Sequence, residues 1–289
     1  MVNPPTCAVT GSSGYVGAAL VTAFHQAGIN VVEFRHASAA PGGAVRSFHL
    51  AAPLDAQAFA GIDALVHCAW DLKSSTRKEI WRTNVQGSLA LFSAAQAAGV
   101  RRLVFISSMS AFQGCKSLYG LAKLDVEARA ADLGFHIVRP GLVFGPRPGG
   151  MLGALAKAIN LPVIPLVGSG SHVLYLDHQD DLAALVAMLV TAPCVPVAAP
   201  IIAANPQPHT FKSILRTLAA GRGKKPLLIP FPWRLEWAGI KLLESLGLRL
   251  RFRSDSLVSL VNQEPNPDFT VARQTGITFR PFAAEALLT

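Results

Sequence analysis

The stretch TGSSGYVG, Thr10 to Gly17, decides how this chain folds. It sets glycines at 11, 14 and 17 directly behind a short apolar run, residues 7–10, and at the head of a longer Ala-rich stretch, residues 14–26. Glycines so spaced let a chain turn tightly out of a strand and bring bare backbone N–H groups to the start of a helix, where a diphosphate charge is favoured. A tight turn that holds no ligand is the plainer alternative. The strand–turn–helix context favours the phosphate-binding reading.

Outward from that turn the same rhythm repeats. Strands are expected at 7–10, 30–34, 48–50, 64–68, 103–107 and 135–139, alternating with helices at 14–26, 54–60, 77–98, 117–133 and 181–190. Gly99 suits the end of the long helix, because glycine accepts the left-handed conformation found there. Such alternation predicts an α/β fold: a Rossmann-type, doubly wound parallel sheet with a smaller C-terminal substrate lobe. Residues 140–150 carry too much Pro and Gly for regular structure. Beyond about residue 205 the alternation stops, and a tryptophan-bearing helix is expected near 232–246. The expected division is a nucleotide-binding domain over 1–204, with part of 141–175 facing the lobe, and a substrate lobe over 205–289.

Composition narrows the partners. Of 289 residues 51% are hydrophobic and 15% charged, a balance that collapses rather than staying disordered. The formal charge of +9 suits an anionic small molecule. The cations are scattered, apart from 222–225 and the series Arg249, Arg251, Arg253, and neither group resembles a nucleic-acid-binding arm. No nucleic-acid partner is expected. Cys7, Cys68, Cys115 and Cys194 stand far apart with no histidine at ligand spacing, so reduced thiols and no metal are expected. The first residues lack a secretory pattern and no run of 18 uncharged apolar residues occurs, which makes a cytoplasmic address the default.

Two further clusters carry chemistry. YGLAK puts Tyr119 and Lys123 four apart on one helical face, where an ammonium would favour ionisation of a neighbouring phenol. Ser107 and Ser108 end a buried strand at the carboxyl edge of the sheet, where open parallel sheets bind ligands. Ser108 is the candidate for steadying a substrate oxygen while Tyr119 moves the proton. At the end of the second strand Arg35 and His36 suit a ribose 2′-phosphate, and Glu33 nearby suits a free 2′-hydroxyl. NADP is therefore favoured, with NAD as the second candidate.

In order, TGSSGYVG, IDALVHCAW, NVQGSLALFSAA, RRLVFISS, YGLAK, RPGLVFGP and HQDDLAALV resemble the motifs of the extended short-chain dehydrogenase/reductase family, the group of NDP-sugar epimerases, dehydratases and related reductases. The resemblance implies a bound nicotinamide cofactor, with Tyr119 as acid/base, Lys123 lowering its pKa and binding the nicotinamide ribose, and Ser108 as the strand-end hydroxyl. It implies cofactor contacts from Gly11, Ser13, Gly14, Tyr15, Gly17, His67, Ala69 and Pro140, and structural roles for Asn84 and for Asp180 or Asp181. His49 replaces an aspartate that many members use at the adenine. Met109 and Ser110 stand where dehydratases tend to carry an acidic pair, which disfavours elimination chemistry. Family analogy also implies a homodimer through helices 77–98 and 117–133.

The expected reaction is hydride transfer at a secondary alcohol or ketone carbon of a nucleotide-sugar-like substrate, with epimerisation as the net result if the keto intermediate is held and turned over, and plain dehydrogenation or reduction if it leaves. A nucleotide-sugar substrate would call on Arg147 and on Arg253 with its neighbours 249 and 251 to hold its diphosphate. Two alternatives stand beside it: a reductase or hydroxysteroid-type dehydrogenase of a hydrophobic substrate, and an NADP-sensing protein without turnover. The apolar segment FPWRLEWAGIKLLESLGLRLRF, with Trp233 and Trp237 near its start, fits a lipid surface or the packing of a substrate lobe.

Overall fold

A computed structural model describes residues 4–36, 43–191, 199–248 and 252–283. The elements in order are β1 (Thr6–Thr10), α1 (Tyr15–Gln26), β2 (Asn30–Arg35), β3 (Val45–Ser47), β4 (Ala64–His67), α2 (Arg77–Ile80), α3 (Gly87–Ala97), β5 (Arg102–Ile106), α4 (Leu118–Asp132), β6 (His136–Pro140) and β7 (Leu142–Phe144). There follow α5 (Gly150–Ala158), β8 (Val163–Val167), β9 (Val173–Leu174), β10 (Leu176–His178), α6 (Gln179–Thr191), β11 (Ile201–Ala203), β12 (His209–Thr210), α7 (Phe211–Ala220), β13 (Leu227–Phe231), α8 (Trp233–Ser245), α9 (Ser254–Val261) and α10 (Thr270–Gln274).

Seven strands form one sheet in the order β11-β6-β5-β4-β1-β2-β3, and every neighbouring pair is parallel. Strands such as β1 and β4 are apolar on both faces because helices cover both sides, as a parallel sheet requires. One core cluster joins β1, α1, α6 and β11 on one face, and a second joins α3, α4 and the other face. Strand order reverses between β1 and β4, which opens a crevice at their carboxyl ends. A third cluster gathers side chains from β7, α5, β8 and β10 with others from α7, α9 and Phe282. The C-terminal stretch then returns to the first cluster through Ala272 and Phe279.

Several local expectations shift. The strand expected at 48–50 lies at Val45–Ser47, while Phe48 and Leu50 bury their side chains in the second core just past its end. Burial there comes from anchoring rather than pairing. The helix expected at 54–60 is a single 3-10 turn, Ala56–Phe59, capped by Asp55. Residues 140–150 are not wholly irregular: β7 pairs in parallel with β10, with its prolines flanking rather than interrupting it. Between α2 and α3 the long helix passes through one π segment, Trp81–Gln86.

Candidate active site

The glycine turn owes its shape to two close backbone approaches. Gly11 has φ +67°, and a Cβ there would stand 2.8 Å from Ala69 N; a Cβ on Gly17 would stand 2.2 Å from Gly11 O. Neither place admits a side chain. Gly14 N donates to Gly11 O at 2.9 Å, and no side chain caps α1, so its first-turn N–H groups remain for an anion.

The loop after β4 is strapped against this turn. Thr10 Oγ1 accepts from Cys68 N and Ala69 N, both at 3.2 Å, so its own proton goes to His67 Nδ1 at 2.7 Å. That makes Nδ1 the acceptor and leaves the ring's single proton on Nε2, which donates to Ser88 Oγ at 2.8 Å. Burial, with a contribution from Lys123, pushes the His67 pKa down to about 3, so the ring stays neutral.

The helix α4 brings the proton-transfer candidates to the same edge. Tyr119 is half-buried, its ring edge-on to Trp70 at 5.9 Å. Burial raises the phenol above its ordinary pKa, and the hydrogen-bonding neighbour Ser108 draws it partly back. Lys123 Nζ donates to Ile106 O at 2.8 Å and lies 3.9 Å from the Trp70 ring centre and 5.9 Å from that of Tyr119. Burial lowers this amine to about 7, against smaller opposing effects from Cys68 and Glu127. The amine is thus turned onto a carbonyl and an indole, and burial rather than the ammonium governs the phenol. Ser107, the other strand-end serine, is buried and donates to Glu127, whose carboxylate also takes a two-pronged contact from Arg139.

The first turn of α4 is held from a distance. Ser117 Oγ accepts from Gly120 N at 3.0 Å, while Leu118 N and Tyr119 N donate to the two carboxylate oxygens of Asp255 on α9, at 2.7 and 3.0 Å. The π segment places Asn84 where its side chain clamps both backbone groups of Asp71, at 2.6 and 3.0 Å.

Some expected site residues stand elsewhere. His67 is fully buried beneath the crevice floor, so its side chain cannot touch a ligand there, and Ala69 lines the turn instead. The Tyr15 ring packs against Gly149 and its hydroxyl is buried without a partner, leaving its N–H as what it offers. Arg253 is occupied: Nη1 donates to Leu72 O at 3.0 Å and Ser74 O at 2.7 Å, so it braces a loop rather than a diphosphate. Residues 249 and 251 lie outside the described residues. Arg147 is exposed and forms no ion pair among the described residues. Arg35 pairs with Glu33 and its Nε reaches Ser12 Oγ at 3.3 Å, beside the glycine turn. His36 is exposed and meets His49 edge-on at 4.5 Å. Ser13 is exposed at the turn, and Pro140 is buried at the end of β6, where its carbonyl accepts from Met109 N at 3.1 Å. Asp181 binds Arg280 N and side chain, tying α6 to the C-terminal stretch. Cys7, Cys68 and Cys115 are free thiols, with burial raising all three, and Cys194 lies outside the described residues. Among the described residues no cluster suited to a metal occurs. A concavity of about 400 Å³ beside β11, walled by Asn205, Phe269 and Phe279, touches none of the expected site residues.

Sequence reasoning missed Trp70, Thr10 and Asp255. The first two sat inside recognised motifs, but Asp255 lies 136 residues from Tyr119 and carries no local signal.

Sheet order, the glycine turn at the reversal point and the uncapped α1 define a Rossmann-type dinucleotide-binding enzyme fold. The chain belongs to the NAD dependent epimerase/dehydratase family, whose sequence model matches residues 7–198. A "Ceramide reductase" of Caulobacter vibrioides (strain NA1000 / CB15N) is 33% identical over 176 residues, 60% of this chain and 54% of that protein. An uncharacterized protein, y4nG, of Sinorhizobium fredii (strain NBRC 101917 / NGR234) is 28% identical over 62% of this chain and 51% of its own length. The chain therefore spans about half the length of the curated relatives it matches. Among solved structures, MoeE5 in complex with UDP-glucose and NAD superposes with TM-score 0.76 at 21% identity, covering 98% of this chain and 96% of that one. The UDP-glucose 4-epimerase of Thermus thermophilus in complex with NAD gives TM-score 0.65 at 20% identity over 89% and 97%. These likenesses concern the fold. The cradle closed to any Cβ at Gly11 and Gly17, beside free helix N–H groups, fits the diphosphate of the family's dinucleotide.

Proposed function

We propose that this chain is an NAD(P)H-dependent reductase or dehydrogenase acting at a ketone or secondary-alcohol carbon of a hydrophobic substrate. The observation that carries the reading is the meeting of Tyr119, Ser108 and Lys123 at the sheet's carboxyl edge, beside the glycine turn. When bound, the dinucleotide supplies or accepts the hydride. Gly11, Gly14 and Gly17 would hold its diphosphate, Arg35 its adenosine ribose, and Lys123 the ribose nearer Tyr119. Ser108 orients the substrate oxygen and Tyr119 gives or takes the proton at that oxygen. Trp70 packs on Tyr119 and beneath Lys123, keeping water from the amine.

The substrate class rests on the rim. Arg253 is spent on the Leu72 and Ser74 carbonyls, Trp70 lies edge-on to Tyr119, and Leu72, two residues along the same loop, is 68% exposed. The similarity to a protein named ceramide reductase points the same way. A nucleotide-sugar substrate, with or without epimerisation, is the second reading and is favoured by the free, exposed Arg147. NADP rests on Arg35 beside Ser12, although the Glu33 paired with it suits an unphosphorylated ribose.

The test follows absorbance of NADPH and NADH against long-chain and short-chain ketones, alongside interconversion of UDP-glucose and UDP-galactose. Oxidation of the dinucleotide by ketones is expected. Interconversion of the sugars with no ketone turned over would sink the proposal.

A further inference from the structure

The helix α8 is built inside out. Its half-buried positions are Trp233, Glu236, Ile240 and Glu244, spaced three, four and four apart, so both of its acids face the protein. Glu236 Oε2 is buried without a partner among the described residues, and Glu244 accepts from Ser254 N at 3.0 Å and Ser254 Oγ at 2.6 Å. On the outward face of α8, Leu235 and Leu242 point straight out, continued past the helix by Leu246 and Leu248, and Trp237 and Leu243 flank the inward row on either side, with Leu242 61% and Leu246 69% exposed. Its charges are Arg234 and Lys241, both exposed. A surface helix normally turns its apolar stripe to the core, so this face has been made for a non-aqueous neighbour.

A second apolar face adjoins it. In the ribbon β8–β13 the register sets Val163 beside Leu227 and Pro165 beside Ile229, all exposed, while the alternate pair Ile164 and Leu228 faces the lobe. Pro232 alone joins β13 to α8, and Leu228, Trp233 and Ile240 seat both elements on the same core cluster. Lys224 and Lys225 stand exposed at the foot of β13.

We infer that α8 and the β8–β13 ribbon form a docking face for an anionic lipid bilayer. Apolar side chains interleaved with cations, and no outward acid on the helix, match a headgroup layer over acyl chains. A second copy meeting face to face would gather both sets of Arg234, Lys241, Lys224 and Lys225 into one interface with no outward acid of the helix to pair them. At about 20 Å the helix lies along a surface rather than across it, and no helix among the described residues is long and apolar enough to span a membrane.

The face is bolted to the site. Glu244 holds Ser254 and lies 3.8 Å from Arg253; Arg253 holds the Leu72 and Ser74 carbonyls; Asp255 holds the N–H of Tyr119. Leu72, on the loop that Arg253 braces, is 68% exposed. The substrate class that follows, a long-chain keto lipid drawn from the bilayer, rests on the reductase reading; the docking does not.

The test is sedimentation with vesicles of equimolar phosphatidylglycerol and phosphatidylcholine, against phosphatidylcholine alone. Binding to the anionic vesicles is expected, with weakening in raised salt and a blue shift of tryptophan emission that is lost in Trp237→Phe. Leu235→Ser with Leu242→Ser, or Arg234→Glu, lowers vesicle binding by roughly tenfold while turnover of a water-soluble short ketone is kept. Protein left in the supernatant with anionic vesicles overturns the inference, as does self-association abolished by these same substitutions. Vesicle binding without reduction of any ketone leaves the docking standing and removes the reductase reading.

Discussion

Tyr119 is held in its protonated form by burial, with Ser108 as its hydrogen-bonding neighbour. Tyr119→Phe keeps the packing on Trp70 and removes the transferable proton, so kcat should fall roughly 10²–10⁴-fold with an unchanged melting temperature. Steady-state rates beside a thermal melt check this. Lys123 makes a stability prediction whose sign follows from proton binding. Its amine titrates at about 7 in the fold against 10.5 when exposed, so the unfolded chain binds the extra proton between those values. Folding is penalised most below pH 7, and the penalty fades as pH rises to 10.5. Without dinucleotide, Lys123→Met should therefore raise the melting temperature at about pH 6 and lose that gain toward about pH 10. Asp177 behaves in the opposite sense. It is fully buried with neither oxygen bonded among the described residues, and burial together with Asp181 raises its carboxyl well above the usual range. The fold keeps that proton as the unfolded chain loses it, so stability is greatest in acid and declines as pH climbs. Asp177→Asn should stabilise by about 1–3 kcal/mol near neutrality, with a smaller gain in melts run near pH 4.

At the scale of elements, α4 owes its position to α9. Asp255 supplies two acceptors to the first turn, so Asp255→Ala should cost about 1 kcal/mol of stability and lower kcat more than it raises KM; Asp255→Asn should recover part of both. Equal kcat for parent and alanine variant would remove the positioning role. This link also marks where the sequence stops being informative. The strands and helices around Gly11, Ser108 and Tyr119 were legible because a parallel sheet writes apolar runs and glycine turns into contiguous residues. His67 misled because a histidine that ends a buried strand and one that lines a ligand crevice share the same neighbours in sequence. Only its Thr10 and Ser88 partners, 57 and 21 residues away, distinguish them. Arg253 misled similarly, since its carbonyl partners lie 181 and 179 residues upstream. The inward acids of α8 were equally hidden: Glu236 and Glu244 show which face they occupy only once Trp233 and Ile240 are docked.

At the scale of the molecule, two clusters sandwich the main sheet and a third holds the lobe, yet the chain ties them together late. Arg280 meets Asp181 and Phe279 enters the first cluster, so the lobe is threaded back onto the sheet. Arg280→Ala should loosen that return and lower stability by about 2 kcal/mol, because buried Asp181 loses its charged partner and keeps only the backbone N–H of residue 280; a denaturant titration reads it. The homodimer implied by the family analogy would use α3 and α4, opposite in role to α8, and Trp81 Nε1 already ties the helix before α3 to Asp125 at 2.7 Å. The β8–β13 ribbon has a different consequence. Among the described residues it is a pair with no third strand, with one bridge from Gly168 to Phe231 at its end. In deuterated solvent its amides should exchange well before those of β1, β4 and β5, making one flank of the protein yielding while the centre stays rigid.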